Sequence, residues 1–342
     1  MDPRKMRILR AVTDDYIRTA EPVGSRTIAR KYDLGVSPAT IRNEMADLEE
    51  LGYLEQPHTS AGRVPSEKGY RFYVDVLMEP EELSSEEQAR LREEVAGGRR
   101  AIEDLVHQAS RLLSLITHYT AVVMLPRLSQ AVVRRIQLTP IDSFHALAVV
   151  VLEPGFVQSQ VVEFPREVDA GRLTALVEWL NGRLAGKTFR DVTHGLLAEL
   201  REELEPAEFY EEMAELLVRA LENKDEERVF LEGTLHLFEQ PEFRDIDRAR
   251  SLLSFLQQDH TVASLLSEVA DGSGIRVTIG REHRSVEMQG CSMVTATYGP
   301  GGQAIGTLGV IGPTRMDYSK AVAAVEVLAE SLSEVLAGSP RR

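Results

Sequence analysis

Four side chains near the start of the chain, Ser37, Thr40, Arg42 and Asn43, have the types and spacing of a surface that reads base edges. Arginine pairs bidentately with guanine, asparagine with adenine, and threonine packs its methyl on that of thymine. They can do so together only from the leading end of a helix that enters the major groove. Ser37-Pro38 supplies that end, with serine as N-cap and proline at the first helical position, where a missing N–H costs nothing. Asp47, Glu49 and Glu50 lie at the far end, where phosphates would repel them, so the helix is polarised for entry by its N-terminus. Around it, residues 24–42 supply Arg26, Arg30, Lys31 and Arg42 against one acid, Asp33. A polar, turn-rich stretch then carries His58, Thr59 and Ser60 and leads to Arg63, a wing suited to the DNA backbone or the minor groove. The candidate DNA-binding set is therefore Arg26, Ser37, Thr40, Arg42, Asn43, His58, Thr59, Ser60 and Arg63.

A serine- and threonine-rich helix start is ordinary by itself. What singles this one out is the succession of elements that would position it. Ile8, Leu9, Val12, Tyr16 and Ile17 form the apolar stripe of a first helix, and a short second helix runs from Gly24 to Tyr32. Asp33 to Val36 makes a tight turn. The third helix buries Ile41, Met45, Leu48 and Leu51 and ends at Gly52. Tyr53–Gln56 and Arg63–Pro65 read as short strands, and Ser66–Leu77 as a further helix. Helix, helix, turn, capped helix and basic hairpin predict a winged helix-turn-helix in residues 1–78.

The net charge of −15 speaks against nucleic acid only until its distribution is examined. Residues 1–75 hold 12 Lys+Arg and 12 Asp+Glu, whereas residues 190–258 hold 18 acids and 8 bases. Exposed charges more than about 8 Å apart are largely screened at physiological salt, so a distant acidic body does not forbid DNA contact by a neutral head.

Residues 79–117 read as an acidic linker and a long helix, with Gly97-Gly98 as its weak point. From 118 to 189, short valine-rich strands (121–125, 132–138, 146–152, 156–164) precede an amphipathic helix that carries Leu173, Leu176, Leu180 and Leu184. Residues 190–260 are acidic and read as helical. Strand character returns at 275–279, 293–298 and 305–311, before a last helix over 317–336, so 261–342 reads as the second part of one α+β domain interrupted by an insertion.

No enzyme signature is present. The glycines from 299 to 312 fit neither phosphate-loop nor dinucleotide spacing and read as a hairpin turn and a tightly packed strand. The eight histidines are scattered, no nucleophile elbow occurs, and Cys291 reads as a small core residue. No catalytic residue, metal or cofactor is expected. Arg315 to Tyr318 read as pocket-lining candidates, with Asp317 the better fit to a helix N-cap. No run approaches the roughly 20 apolar residues of a membrane helix, and a cytoplasmic protein is expected.

Several blocks resemble the HrcA heat-inducible transcription repressors of bacteria. They are Glu21-Pro22-Val23-Gly24-Ser25, Val36 to Met45, Leu51-Gly52-Tyr53-Leu54 and His58 to Pro65 in the first part. Gly233-Thr234-Leu235, Gln240-Pro241-Glu242-Phe243, Gly290 to Val294 and Leu308 to Tyr318 continue the likeness to the far end. The resemblance implies a repressor of chaperone operons that binds an inverted-repeat operator in double-stranded DNA as a homodimer. It also implies a winged-helix head, a GAF-like α+β domain and an inserted, mainly helical dimerisation domain, with activity maintained by the GroE chaperonin and lost on heating. The alternative is a regulator that senses a metabolite through the GAF-like domain.

Overall fold

The computed structural model describes residues 1–58, 61–79, 81–96, 102–125, 132–153, 156–187, 210, 229–270, 274–300 and 304–337. Three helices open the chain: α1 (Pro3–Thr19), α2 (Ser25–Lys31) and α3 (Pro38–Glu50). Their apolar faces converge on Ile8, Leu9, Val12, Ile28, Ile41 and Leu48, all fully buried. Ser37 caps α3 as its residue type predicts, and Gly52 (φ +77°) turns the chain out of it. That exit leaves Leu51, expected on the buried face, 49% exposed. Strands β1 (Leu54–Glu55) and β2 (Val64–Pro65) pair antiparallel, and Val23 bridges to Arg63 beside them. Helix α4 (Glu67–Phe72) continues into a π-helical turn, Tyr73–Leu77. This is the winged helix-turn-helix.

The body is built on a five-stranded antiparallel sheet. In chain order its strands are β3 (Thr120–Met124), β7 (Val229–Glu232), β8 (Ile275–Ile279), β9 (Cys291–Tyr298) and β10 (Gly306–Pro313), arranged β7-β3-β10-β9-β8. Side chains alternate across a strand, so each strand feeds two cores. Val123, Val294, Leu308 and Val310 pack against α5 (Ser85–Ala96), α6 (Ile102–Thr117) and the last helix, α11 (Tyr318–Leu336). Val122, Met293 and Ile311 face the other way, under α9 (Ile246–Leu256) and α10 (Asp259–Ala270), which follow the short α8 (His236–Glu239). Helices on both faces of one antiparallel sheet make the GAF-like α+β domain. Gly309 lies where a Cβ would come within 2.3 Å of the Val294 carbonyl oxygen, which accounts for glycine inside a packed strand.

Between β3 and β7 the chain leaves this sheet. Strands β4 (Val132–Pro140), β5 (His145–Glu153) and β6 (Phe156–Glu163) form a separate three-stranded sheet whose inner face is covered by α7 (Ala170–Leu184). Sheet membership thus differs from the reading that grouped 118–189 and began the insertion at 190. Residues 132–184 pair only among themselves among the described residues, while 229–232, read there as part of an acidic helical insertion, form a strand beside β3. The expected helices between 190 and 228, and the Gly97-Gly98 break, lie outside the described residues apart from Tyr210, which is buried in the core that this sheet shares with α7.

Candidate nucleic-acid interface

The buried stripe of α3 decides where its polar residues point. Ile41 is fully buried, and successive helical residues turn by about 100°, so Arg42 and Asn43 are carried round to the exposed side. Neither has an internal hydrogen bond or ion pair among the described residues. Ser37 has a structural task instead: its Oγ accepts the Thr40 backbone N–H at 3.1 Å and lies 3.0 Å from Thr40 Oγ1. The first turn of α3 is therefore held rigid by Ser37 and Thr40 and offers Arg42 and Asn43 as free donors.

Three of the four acids of α3, all but Glu50, are paired within the head. Lys5 of α1 reaches Glu44 at 2.8 Å and Asp47 at 2.9 Å, and its hydrogen bonds to these two carboxylates hold its ammonium well above the usual lysine range. Glu49 takes Arg63 at 2.8 Å.

Across residues 1–75 the same accounting separates two kinds of cation. Arg4, Lys5, Arg7, Arg10, Arg18, Lys31, Arg63, Lys68 and Arg71 all bond to acids, carbonyls or a tyrosine hydroxyl within the protein. Arg26, Arg30 and Arg42 do not, and all three are exposed on α2 and α3. Arg30 is the addition to the expected set. Its type gave no signal, because Lys31 beside it looks equivalent and is spent on buried Asp15 at 2.7 Å.

The wing is placed less openly. Reciprocal backbone bonds of 2.9 Å tie Arg63 to Val23, and its guanidinium, 20% exposed, faces Glu49. Any phosphate that Arg63 meets competes with Glu49 for its charge. His58 is exposed, and Thr59 and Ser60 lie outside the described residues.

Among the described residues the head meets the body through packing of Tyr16 and Ile17 on its core, a bond from the Arg281 N–H to Glu67 (3.3 Å), and two stronger polar fastenings. Tyr70 and Tyr73 are buried in the body core, and Arg71 beside them binds Glu282 and the Val277 carbonyl (2.8 Å). Tyr73 also donates to Asp14 of α1 at 2.7 Å, and burial is the main reason the Asp14 carboxyl is pushed up. The second fastening is Arg315, which donates to Glu242 (2.6 Å), Gln240 (2.9 Å) and the Ile17 carbonyl at the exit of α1 (2.9 Å). Asp317 is the N-cap of α11, as its position suggested, while Arg315 is engaged by Glu242, Gln240 and Ile17. A polar cavity of about 400 Å³ lies in the crease between head and body, lined by Glu67, Arg248, Ser251, Arg281, Glu287 and Gln289, among others.

Among the described residues, no group of three or more His, Cys, Asp or Glu side chains is placed to hold a metal ion. No helix there is long and apolar enough to cross a membrane. Cys291 is buried in the body core, where burial pushes its thiol up to about 12.

A winged helix-turn-helix presenting unpaired arginines, joined to a GAF-like body, is the architecture of a winged-helix transcription regulator. Comparison with known proteins gives the family. A model described as the HrcA protein C-terminal domain matches residues 103–322. The heat-inducible transcription repressor HrcA of Symbiobacterium thermophilum is 46% identical over 336 residues, covering 98% of each chain. That of Desulforudis audaxviator is 45% identical over 337 residues, again covering 98% of each. A crystal structure described as that of a hypothetical protein shares the fold, with a TM-score of 0.64 at 24% identity over 99% of this chain and 100% of that one. The chain belongs to the HrcA family of heat-inducible transcription repressors.

Proposed function

We propose that the chain binds an inverted-repeat operator in double-stranded DNA as a homodimer, one head per half-site, and represses by covering the promoter of chaperone operons. The observation that carries this reading is the charge accounting of the head. Its three uncommitted arginines lie on α2 and α3, and one of them stands in the first turns of the helix that would enter the groove. Arg26, Arg42, Asn43 and Thr40 are its base and phosphate contacts, with Arg30 added. Ser37 acts by capping, and His58, Thr59, Ser60 and Arg63 form the wing.

A two-fold protein matches a two-fold site, and the segment 132–184 offers a surface for the pairing. The sheet face away from α7 places Val157 beside Val151 and Val161 beside Leu147, with Val157 65% and Val161 53% exposed. Contiguous exposed apolar surface of this kind suits self-association. The inserted unit of the proposal therefore includes 132–184, and the strand at 229–232 returns to the GAF-like domain. The protein acts in the cytoplasm, catalyses no reaction, and depends on the GroE chaperonin for its active form, as the resemblance implies.

The test uses the full chain and duplexes from the control regions of the organism's chaperone operons, in a salt series below and above physiological strength. Binding that prefers one inverted repeat over scrambled duplex supports the reading. Failure to prefer any of these regions even at low salt sinks it.

A second reading, a metabolite sensor, has the crease cavity in its favour, since a ligand there would touch both head and body. A small-molecule screen by thermal shift separates the two, because a ligand that binds only the folded state raises the unfolding temperature by an amount that grows with the logarithm of its concentration above Kd.

A further inference from the structure

We propose that Arg315 is a positioning residue, locking the exit of α1 to the body and so setting the angle at which each head meets its half-site. The inference rests on the dimeric operator reading above.

Arg315 lies between β10 and α11, and its side chain is only 12% exposed. Four of its five N–H donors are in use. Nε and one Nη2 hydrogen engage the two oxygens of Glu242, the other Nη2 hydrogen goes to Gln240 Oε1, and Nη1 donates to the Ile17 carbonyl. That carbonyl belongs to the last turn of α1, where intrahelical donors run out. The N–H that would have served it, on Glu21, turns back instead to Thr19 Oγ1 at 3.3 Å. A guanidinium at this end also suits the negative pole of the helix. Its acidic partner is anchored in turn, since Glu242 sits in a short turn (Pro241–Phe243) whose Phe243 is buried in the body core.

The second fastening fixes why this matters. Helix α4 is rooted independently through Tyr70, Tyr73 and Arg71. Tyr16 and Ile17 pack the end of α1 against the body core, but apolar contact alone fixes no direction; the forked hydrogen bonds of Arg315 at the same helix end supply one. Lysine cannot replace the guanidinium here, because a single ammonium cannot fork onto Glu242 while reaching Gln240 and Ile17.

The experiment compares full-length wild type with Arg315→Lys and Glu242→Gln, after thermal unfolding confirms that each is folded. Affinity is measured for the inverted repeat at its native spacing, for spacers changed by one and two base pairs, and for a duplex holding one half-site. If the variants leave about a tenth of the dimers with both heads in register, affinity for the native repeat falls about tenfold. Binding to the single half-site stays within about twofold of wild type, and the variants discriminate less among spacers. Should Arg315→Lys not fold, Glu242→Gln carries the same comparison, since it keeps the guanidinium and removes its fixed charge. Unchanged spacer discrimination overturns the assignment, as does an equal loss on half-site and full repeat, which means a damaged head rather than a misdirected one. A wild type that binds the single half-site as tightly as the full repeat refutes the dimeric reading itself, before any variant is considered, whereas one that prefers the repeat yet is indifferent to spacing overturns the lock.

Discussion

Replacing Arg42 with alanine separates recognition from stability more cleanly than any other change in the head. Arg42 is exposed and has no internal partner, so its removal deletes no ion pair, cap or core contact. Substitutions of that kind shift stability by about 0.5 kcal/mol at most. A bidentate arginine–guanine contact is worth about 1–3 kcal/mol, which is a loss of roughly 5- to 150-fold in affinity. The two numbers predict a variant that unfolds with wild type yet binds its operator far more weakly. Competition anisotropy against every single-base substitution of the half-site should show the loss concentrated at one position, where the variant stops discriminating. A loss spread evenly over matched and substituted sites would make Arg42 a phosphate contact. A lowered unfolding temperature would refute the premise that the residue is uncommitted.

Three further outcomes follow from the same geometry. In Gly62→Ala the new Cβ falls 2.4 Å from the Val23 carbonyl oxygen, a backbone atom, so the Val23–Arg63 bridge must open; overpacking of this kind costs about 1–3 kcal/mol, and an unchanged unfolding temperature contradicts it. In Arg63→Ala the Glu49 carboxylate is released, and binding should weaken on all sequences alike; a salt slope shallower by about one ion assigns Arg63 to a phosphate, and an unchanged slope assigns it to the Glu49 pair alone. For Glu282, burial pushes the carboxyl up, but the bonds from Arg71 and the Ile279 N–H outweigh it and leave the group below its ordinary value. A depressed carboxylate stabilises the fold above its unfolded pKa, about 4.3, and loses that contribution as pH falls through the folded value. Wild type should therefore lose more thermal stability than Glu282→Gln on going below about pH 4, and superimposable pH profiles would exclude the effect.

The elements of the head were legible because their signals are local. The Ser37-Pro38 cap, the Ile41–Met45–Leu48 stripe and Gly52 each act within a few residues, and each falls in the structure where its chemistry placed it. The sheet partition was not legible. Strand β7 has four residues in an acidic tract, and its partner β3 lies more than a hundred residues earlier, so no periodicity announces the pairing. Val132 to Glu163 carries the same valine-rich alternation as the strands of the main sheet. Alternation reports which faces are buried, not which sheet a strand joins. Arg315 drew notice as a pocket-lining candidate, but its role was hidden for a related reason: its acidic partner is 73 residues away and the carbonyl it caps is 298 away.

The site itself was half legible, and the missing half is a matter of pairing. Arg42 and Arg63 are the same residue type in the same small domain, yet one is free and the other is held by Glu49. A residue count gives the head zero net charge, which describes neither of them. What a phosphate or a base edge meets within a screening length is the set of cations the fold has not already used. Lys5 and Arg4 serve that selection from within the protein, because they hold Glu44 and Asp47, two of the acids on the very helix that carries Arg42. The acidic body, with its excess in residues 190–258, bears on solubility and spacing rather than on the groove. On the proposed reading, recognition depends on internal ion pairs as much as on the arginines they leave exposed.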